Sequence, residues 1–305
     1  MSSLPSRPQD AANAADRPAV SFADLNEMAR SGEPIVMVTA YDHPSASVAQ
    51  DAGVDIILVG DSAAMVVLGH DSTLPITMDE MVMLSSAVRR GAHTPLIVGD
   101  MPFGSYEASD ALAVKNAQRF IKEAGCDAVK LEGGGTSAQR ARAIAAAGVP
   151  VMGHIGLTPQ TAAALGGYKA QGRTAGAAAS VLEDAMRLQD AGCFSIVIEC
   201  VPSAVTEVIV EQLSIPTIGI GAGPSTAGQV LVYHDLLGLR EGRTAKFVKP
   251  YATLRDSAIR AVTTYASEVR SGEYPGPEHG YSIEPAELNS LRQSLGQTKA
   301  PGRVQ

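Results

Sequence analysis

Short apolar runs alternate with amphipathic stretches along most of this chain. The runs are rich in Ile, Val and Leu and are bounded by turn residues, which is the pattern of strands buried on both faces. The stretch from Ser109 to Gly125 carries apolar residues at helical spacing, and Ser109 can cap its start. Eight strands are predicted: Ile35–Ala40, Ile56–Gly60, Leu96–Gly99, Ala128–Leu131, Pro150–His154, Ser195–Glu199, Pro216–Ile220 and Ala245–Lys249.

One short phrase marks the passage from helix to strand four times. In QDAGVDIILV, EAGCDAVKL, AAAGVPVMG and QDAGCFSIVI, a helix-like stretch meets Ala-Gly shortly before a strand. Glycine just past a helix end supplies the left-handed backbone that other residues adopt only at a cost. Eight strands alternating with helices predict a (β/α)8 TIM barrel. A doubly wound open sheet is the alternative, but the first strand leads into VTAYDHPSA, which lacks the glycine-rich dinucleotide loop of that fold.

Four of the predicted strands run into an acidic residue: Asp61, Asp100, Glu132 and Glu199. In a barrel of parallel strands these side chains gather at the carboxyl face, where enzymes of this fold place their chemistry. Clustered carboxylates repel one another unless a cation or a proton intervenes. Hard oxygen ligands favour Mg²⁺, and Asp61, Asp100 and Glu132 end three consecutive strands, so they are the predicted ligands. The alternative is that each acid only caps the turn that follows it.

Three further residues extend this prediction. Lys130 lies two residues before Glu132, so both side chains share the interior face of one strand, where a lysine can hold an anionic substrate. An internal salt bridge without functional value is the other interpretation of Lys130. His154 ends the fifth predicted strand and is a candidate to bind a substrate oxygen, or is merely structural. Glu199 stands apart from the three predicted ligands and is therefore the candidate general base.

The segment GIGAGPSTAGQ at 219–229 is the single glycine-rich loop that follows a predicted strand. Loops near strands seven and eight of barrels often bind phosphate through backbone N–H groups. Glycines at this position also serve tight turns, so phosphate binding is only one of two interpretations.

Composition narrows the functional classes. Net charge is −8 with no basic block, which argues against nucleic-acid binding, and no apolar run is long enough for a membrane span. The three cysteines, Cys126, Cys193 and Cys200, all lie in apolar contexts and are expected to be buried thiols of a cytoplasmic protein. We expect a flexible arm at 1–20, the barrel with a C-terminal helix at 21–280, and a polar tail at 281–305.

Longer phrases carry a resemblance to a known family. In chain order they are VTAYDHPSA, LVGDSAAMVVLGHDSTLPIT, VGDMPFGSY, VKLEGG, GHIGLTPQ, GGYKAQGR, IECVP, IPTIGIGAG and YPGPEH, and they span Val38–His279. Together they resemble the ketopantoate hydroxymethyltransferases. Ala63-Ala64 departs from the Leu-Gly that the family pattern has after GDS, a change that can alter the loop beside the predicted metal site.

The resemblance implies a barrel of the phosphoenolpyruvate/pyruvate-binding type, often assembled as a homodecamer. It implies transfer of a one-carbon unit from 5,10-methylenetetrahydrofolate to 3-methyl-2-oxobutanoate, forming 2-dehydropantoate in pantothenate biosynthesis. By the same resemblance Asp61, Asp100 and Glu132 bind Mg²⁺, and Glu199 accepts the proton. The resemblance also implies that the keto acid is contacted by Asp61, Ser62, Asp100 and Lys130. The folate donor rests on resemblance alone.

Two other functions stay open at this stage. One is a lyase or mutase of the same barrel class that uses Mg²⁺ and an enolate without folate. The other is a metabolite-binding scaffold without catalysis, which has no need for so many costly clustered charges.

Overall fold

Eight parallel strands close into a barrel in the computed structural model, which describes residues 17–242 and 244–296. Each strand pairs with the next along the chain, and β8 pairs with β1 to complete the ring. The (β/α)8 fold predicted from the alternating pattern is therefore confirmed. The strands are β1 Ile35–Thr39, β2 Ile56–Val59, β3 Leu96–Asp100, β4 Ala128–Glu132, β5 Val151–Gly156, β6 Ser195–Glu199, β7 Thr217–Ile220 and β8 Gly228–Leu231.

Helices follow most of the strands, and several begin with the capping residues that the sequence places there. Thr77 accepts a hydrogen bond from the Glu80 N–H at the start of α4, and Ser109 does the same for Leu112 at the start of α5. The α-helices are α1 Phe22–Ser31, α2 His43–Asp51, α3 Ala63–Val66, α4 Met78–Gly91, α5 Asp110–Lys122, α6 Gly135–Ala146, α7 Ala175–Asp190, α8 Ser203–Glu211, α9 Tyr233–Leu236, α10 Leu254–Ser271 and α11 Pro285–Ser294. Short 3-10 turns occur at Pro159–Thr161 and Pro277–His279.

Two apolar clusters account for the buried strands. The cluster inside the barrel includes Ile56, Val98 and Met152, and the cluster between strands and helices includes Ile97 and Phe120. Side chains of β2 to β6 alternate between these two clusters, which is why these strands appear in the sequence as mainly apolar runs.

The eighth strand was predicted in the wrong place. The strand that closes the barrel is Gly228–Leu231, whereas Ala245–Lys249 lies outside any strand. Only four residues form β8, and it begins with a glycine whose added Cβ would come within 2.4 Å of the Ile35 carbonyl oxygen. Gly228 and the exposed Gln229 make up half of this strand, so it carries almost no apolar signal. The segment 219–229 accordingly contains the end of β7 and the start of β8, with the loop only between them.

The chain divides into two units between Thr253 and Leu254. The first contains the barrel; the second contains α10 and α11, neither of which has a buried residue. The expected division at 1–20, 21–280 and 281–305 stays a prediction, and its residues 1–16 and 297–305 lie outside the described residues. Cys126 and Cys193 are buried free thiols as predicted, and Cys200 is half-buried. No helix in the described ranges has the length and hydropathy that crossing a membrane requires.

Candidate active site

Strand register brings the predicted acids to one rim of the barrel. Asp100 pairs with Lys130 across β3 and β4, Glu132 pairs with His154, and Gly156 pairs with Glu199. Asp100, Glu132 and Glu199 are the last residues of their strands, and Asp61 follows β2 by two residues. His154 lies inside β5 and does not end it, because the strand continues to Gly156 in order to pair with β6.

These residues line one cavity of about 340 Å³. Its wall includes every predicted site residue, namely Asp61, Ser62, Asp100, Lys130, Glu132, His154 and Glu199. The rest of the lining includes the apolar side chains of Leu58, Val197 and Val230. Among the described residues that line a larger groove of about 1340 Å³, Arg30 and Glu33 are the only charged ones, so we place the chemistry in the smaller cavity.

Lys130 ties two of the acids together. Its Nζ lies 2.8 Å from Asp100 Oδ1 and 3.8 Å from Glu132 Oε1, and all three side chains are almost completely buried. The backbone N–H of Asp61 donates to Asp100 Oδ2 at 3.1 Å, so Asp61 and Asp100 lie side by side. The three predicted metal ligands therefore form one contiguous buried cluster around a single lysine.

Burial and mutual repulsion set the protonation of this cluster. Burial, followed by the charges of Asp100 and Glu132, holds the pKa of Asp61 well above its usual value. Burial also raises the pKa of Asp100, although the Lys130 ammonium opposes it. For Lys130 the neighbouring carboxylates outweigh burial and raise its pKa, so the lysine is charged at neutral pH.

His154 lies between two carboxylates. Its Nδ1 is 3.2 Å from Glu132 Oε1, and its Nε2 is 3.1 Å from Glu199 Oε2. Burial and the Lys130 charge lower the pKa of His154, but the two carboxylates outweigh them and raise it to about 9. Burial acts against ionisation of Glu132, yet contact with His154 and Lys130 brings the pKa of this carboxyl below its usual value. His154 thus links Glu199 to the acid cluster, and its Nδ1 also lies 3.3 Å from Lys130 Nζ.

Glu199 keeps its place through the residue that follows it. Cys200 has a φ of 51°, in the left-handed region that non-glycine residues seldom occupy. Its N–H donates to Ile220 O at 2.9 Å and its carbonyl accepts from Gln171 N at 2.8 Å. These two bonds hold the turn at the end of β6, so the Glu199 side chain stays in the cavity wall, where it is 16% exposed.

Ser62 begins α3 and lies beside Asp61. Its hydroxyl is 2.9 Å from that of Tyr41, a buried tyrosine just beyond β1. A Cβ at Gly60 would come within 2.8 Å of the Ser62 Oγ, which explains why glycine precedes Asp61 and Ser62 in this turn.

Gln160 and Tyr106 are functional candidates that the sequence did not single out. Gln160 Nε2 donates to Asp61 Oδ2 and to Met101 O, both at 2.9 Å, and its backbone N–H donates to Glu132 Oε2 at 3.0 Å. Tyr106 donates to Gln160 Oε1 at 2.6 Å and accepts from the Glu132 N–H at 3.3 Å. Their only signal in the sequence was a position inside the phrases VGDMPFGSY and GHIGLTPQ.

The donor set of the cavity suits a hard divalent cation. Among the described lining residues, five carboxyl groups (Asp61, Asp100, Glu132, Glu199 and Asp235) outnumber three basic groups (Lys130, His154 and Arg240). Within the described ranges, no three His, Cys, Asp or Glu side chains already surround one point as a complete ligand group. Mg²⁺ does not require one, because it is usually bound by one or two carboxylates and keeps several waters.

Fold and site together define the chain as a (β/α)8-barrel enzyme with a buried carboxylate cluster at the carboxyl ends of its strands. The model of one family, described as ketopantoate hydroxymethyltransferase, matches residues 19–277. The chain belongs to this family, as the phrases quoted above predicted.

Curated relatives and solved structures agree with this placement. The chain is 53% identical to the 3-methyl-2-oxobutanoate hydroxymethyltransferase of Heliobacterium modesticaldum, covering 87% of this chain and 96% of the relative. It is 52% identical to the mitochondrial 3-methyl-2-oxobutanoate hydroxymethyltransferase 1 of Arabidopsis thaliana, covering 92% and 84%. Phosphonopyruvate hydrolase shares the barrel fold with a TM-score of 0.57 at 13% identity, covering 91% of this chain and 96% of the other. A 2,3-dimethylmalate lyase of the PEP mutase/isocitrate lyase superfamily does so with a TM-score of 0.53 at 13% identity, covering 92% and 98%.

Proposed function

We propose that this protein is a 3-methyl-2-oxobutanoate hydroxymethyltransferase that forms 2-dehydropantoate from the keto acid. One observation carries the proposal beyond family membership. Glu199 lies in the same cavity as the acid cluster of Asp61, Asp100 and Glu132, but it contacts His154 and no member of that cluster. The arrangement separates a group that can move a proton from the groups that can hold a cation.

The cation is proposed to be Mg²⁺, held by Asp61, Asp100 and Glu132. When bound, it supplies Lewis-acid stabilisation of the negative charge that develops on the keto acid oxygens. Burial and the charges of its neighbours raise the pKa of Asp61, and a bound cation would lower it again.

Glu199 is proposed to accept the C3 proton of the keto acid. As that proton moves to the carboxylate, the electrons of the C3–H bond shift toward the ketone oxygen and form the enolate. His154 Nε2, 3.1 Å from Glu199 Oε2, orients the carboxylate and balances its charge before the transfer. Because its pKa is raised to about 9, His154 carries this charge at neutral pH.

Lys130 and Ser62 are proposed to orient the keto acid. The buried ammonium of Lys130 offsets substrate charge, and the Ser62 hydroxyl, paired with Tyr41, is free to donate to a substrate oxygen or to accept from Tyr41. The apolar part of the lining, which includes Leu58, Val197 and Val230, fits a branched alkyl group and keeps water from the enolate.

The one-carbon donor is proposed to be 5,10-methylenetetrahydrofolate. The enolate C3 forms the new carbon–carbon bond to the donated carbon, whose two bonds to folate nitrogens break. Water supplies the hydroxyl group, and its remaining proton and the proton lost from C3 end on the two nitrogens. Keto acid, methylenetetrahydrofolate and water therefore give 2-dehydropantoate and tetrahydrofolate, a step of pantothenate biosynthesis. We further propose a cytoplasmic homo-oligomer, a decamer by family resemblance; the Arabidopsis relative is named as mitochondrial.

The test combines the purified protein with Mg²⁺, 3-methyl-2-oxobutanoate and methylenetetrahydrofolate, and measures 2-dehydropantoate by mass spectrometry. Product that depends on both the folate and the metal supports the proposal. Cleavage or rearrangement of the keto acid without folate would favour the lyase or mutase alternative. Keto acid binding by calorimetry without any turnover would favour the scaffold.

A further inference from the structure

We propose that Gln160 is a positioning residue that holds the Asp61 and Glu132 carboxylates in the arrangement that binds one divalent cation. The proposal rests on the proposed function, because it assigns Gln160 a part in building the same cation site. Gln160 carries no charge and faces no substrate in this role. It acts through the two acids that it contacts.

Gln160 reaches the ends of three strands. It lies in the 3-10 turn Pro159–Thr161, which follows β5, and is 5% exposed. From there its side chain donates to Asp61 after β2 and to Met101 after β3, and its backbone N–H donates to Glu132 at the end of β4. One residue thus connects the ends of three strands to the loop of a fourth. A residue that served only to anchor its own loop would need one such contact.

The Gln160 amide has a single possible orientation. Asp61 Oδ2 and Met101 O are both acceptors, so the Gln160 NH₂ group must face them. Tyr106 accepts from the Glu132 N–H, so its own hydrogen points to Gln160 Oε1. Every donor in the set has an acceptor, and a flipped amide would leave two acceptors facing an oxygen.

The hydrogen bonds of Gln160 and Tyr106 close a ring through Glu132. Its backbone N–H donates to Tyr106, Tyr106 donates to the Gln160 side chain, and the Gln160 N–H returns to Glu132 Oε2. Oε2 is therefore engaged, while Oε1 lies 3.2 Å from His154 Nδ1 and 3.8 Å from Lys130 Nζ. Gln160 hydrogen-bonds to one carboxylate oxygen of Asp61 and one of Glu132. Because these two acids repel each other, the bonds set the separation between them.

The test measures Mn²⁺ affinity by isothermal titration calorimetry with the full chain and three variants. Gln160→Met keeps the length of the side chain but removes its three side-chain hydrogen bonds, to Asp61, Met101 and Tyr106, and leaves the backbone bond to Glu132 in place. Tyr106→Phe removes the donor that orients the amide. Thr161→Val is the matched control, because it breaks the Thr158 to Thr161 hydroxyl contact of the same turn without touching an acid. Thermal unfolding and circular dichroism of each variant report folding independently.

We expect Gln160→Met to weaken Mn²⁺ binding about 10- to 100-fold, as replacing a partner of a metal ligand usually does. Tyr106→Phe should weaken it less, and the double variant should lose less than the two single losses combined, because both act on one amide. The control should stay within about twofold of the parent protein.

The proposal would be overturned if a folded Gln160→Met bound Mn²⁺ as tightly as the parent. It would also be overturned if Thr161→Val lost as much Mn²⁺ affinity as Gln160→Met. Should Gln160→Met fail to fold, Tyr106→Phe decides in the same way. If the parent itself binds no Mn²⁺, the metal part of the proposed function fails. Crystal structures of the parent and of Gln160→Met then test the positioning role. Displaced carboxylates of Asp61 and Glu132 in the variant would support it, and unmoved carboxylates would overturn it.

Discussion

Replacing Lys130 by methionine tests whether this lysine holds the acid cluster together. Methionine has a similar length and is apolar, so the variant removes the charge without opening a large cavity. In the parent protein Lys130 Nζ lies 2.8 Å from Asp100 Oδ1, and both side chains are buried. Among the described lining residues, the variant would leave five carboxyl groups with two basic groups, His154 and Arg240.

The magnitude follows from the burial of the pair. Removing one partner of a buried ion pair costs about 3–5 kcal/mol of unfolding free energy, because the other charge stays buried without compensation. The same replacement of an exposed lysine, Lys115→Met, is the control and should change stability by less than about 0.5 kcal/mol.

The loss should depend on pH with a definite sign. Burial already raises the pKa of Asp61 and of Asp100, and without Lys130 both values rise further. A carboxyl whose pKa is raised in the folded protein favours folding when protonated, and this contribution disappears as the pH rises through the folded-state pKa. The deficit of Lys130→Met should therefore be smaller near about pH 5 and larger near about pH 8.

Urea unfolding followed by circular dichroism measures both quantities, with parent and Lys115→Met run at each pH. An equal deficit at the two pH values would show that the cluster does not depend on Lys130 for its charge balance. A deficit below about 1 kcal/mol would refute the buried ion pair altogether.

Three other predictions follow from the site and the fold. Glu199→Gln should slow the folate-independent exchange of the keto acid C3 hydrogen into D₂O at least about 100-fold, as followed by NMR, and unchanged exchange would reject Glu199 as the base. Thr77→Ala removes the cap of α4 and should lower the unfolding free energy by about 1 kcal/mol without changing product formation, measured by urea unfolding and the transferase assay. Gly228→Ala places a Cβ near Ile35 O and should destabilise the barrel by about 1–3 kcal/mol, whereas Gly176→Ala, in open space on a helix, should stabilise it by up to about 1 kcal/mol; equal effects would contradict the position of β8.

Much of the barrel could be predicted because its strands are buried on both faces. β2 and β3 stand out as apolar runs, and β4 as an apolar run interrupted by Lys130; each ends on an acidic residue or leads to one within two positions. The local sequence therefore predicts both the position of each strand and the acidic residue at its carboxyl end. β8 lacks this signal because it contains Gly228 and the exposed Gln229 among only four residues. Its place is set by closure against β1, which is a long-range property.

The hydrogen-bonding partners of the acids could not be predicted from the local sequence, because these contacts are also long-range. Gln160 and Asp61 are separated by 99 positions, and Tyr106 and Gln160 by 54. Neutral polar residues occur in many loops, so their types attract no attention until the fold brings them into contact. The position of His154 between two carboxylates also required the register of β4, β5 and β6.

Asp100, Glu132 and Glu199 each end a different strand of a closed ring. Since neighbouring side chains of a strand point to opposite faces, pairing shifted by one position would turn the acid of that strand away from the cavity. A closed barrel has no edge strand that could accommodate a shift in register. A molecule with one misaligned strand could therefore keep its overall secondary structure and still lack an intact acid cluster. Titration with a divalent cation would then report correct strand alignment in refolded material, which far-ultraviolet spectra do not resolve.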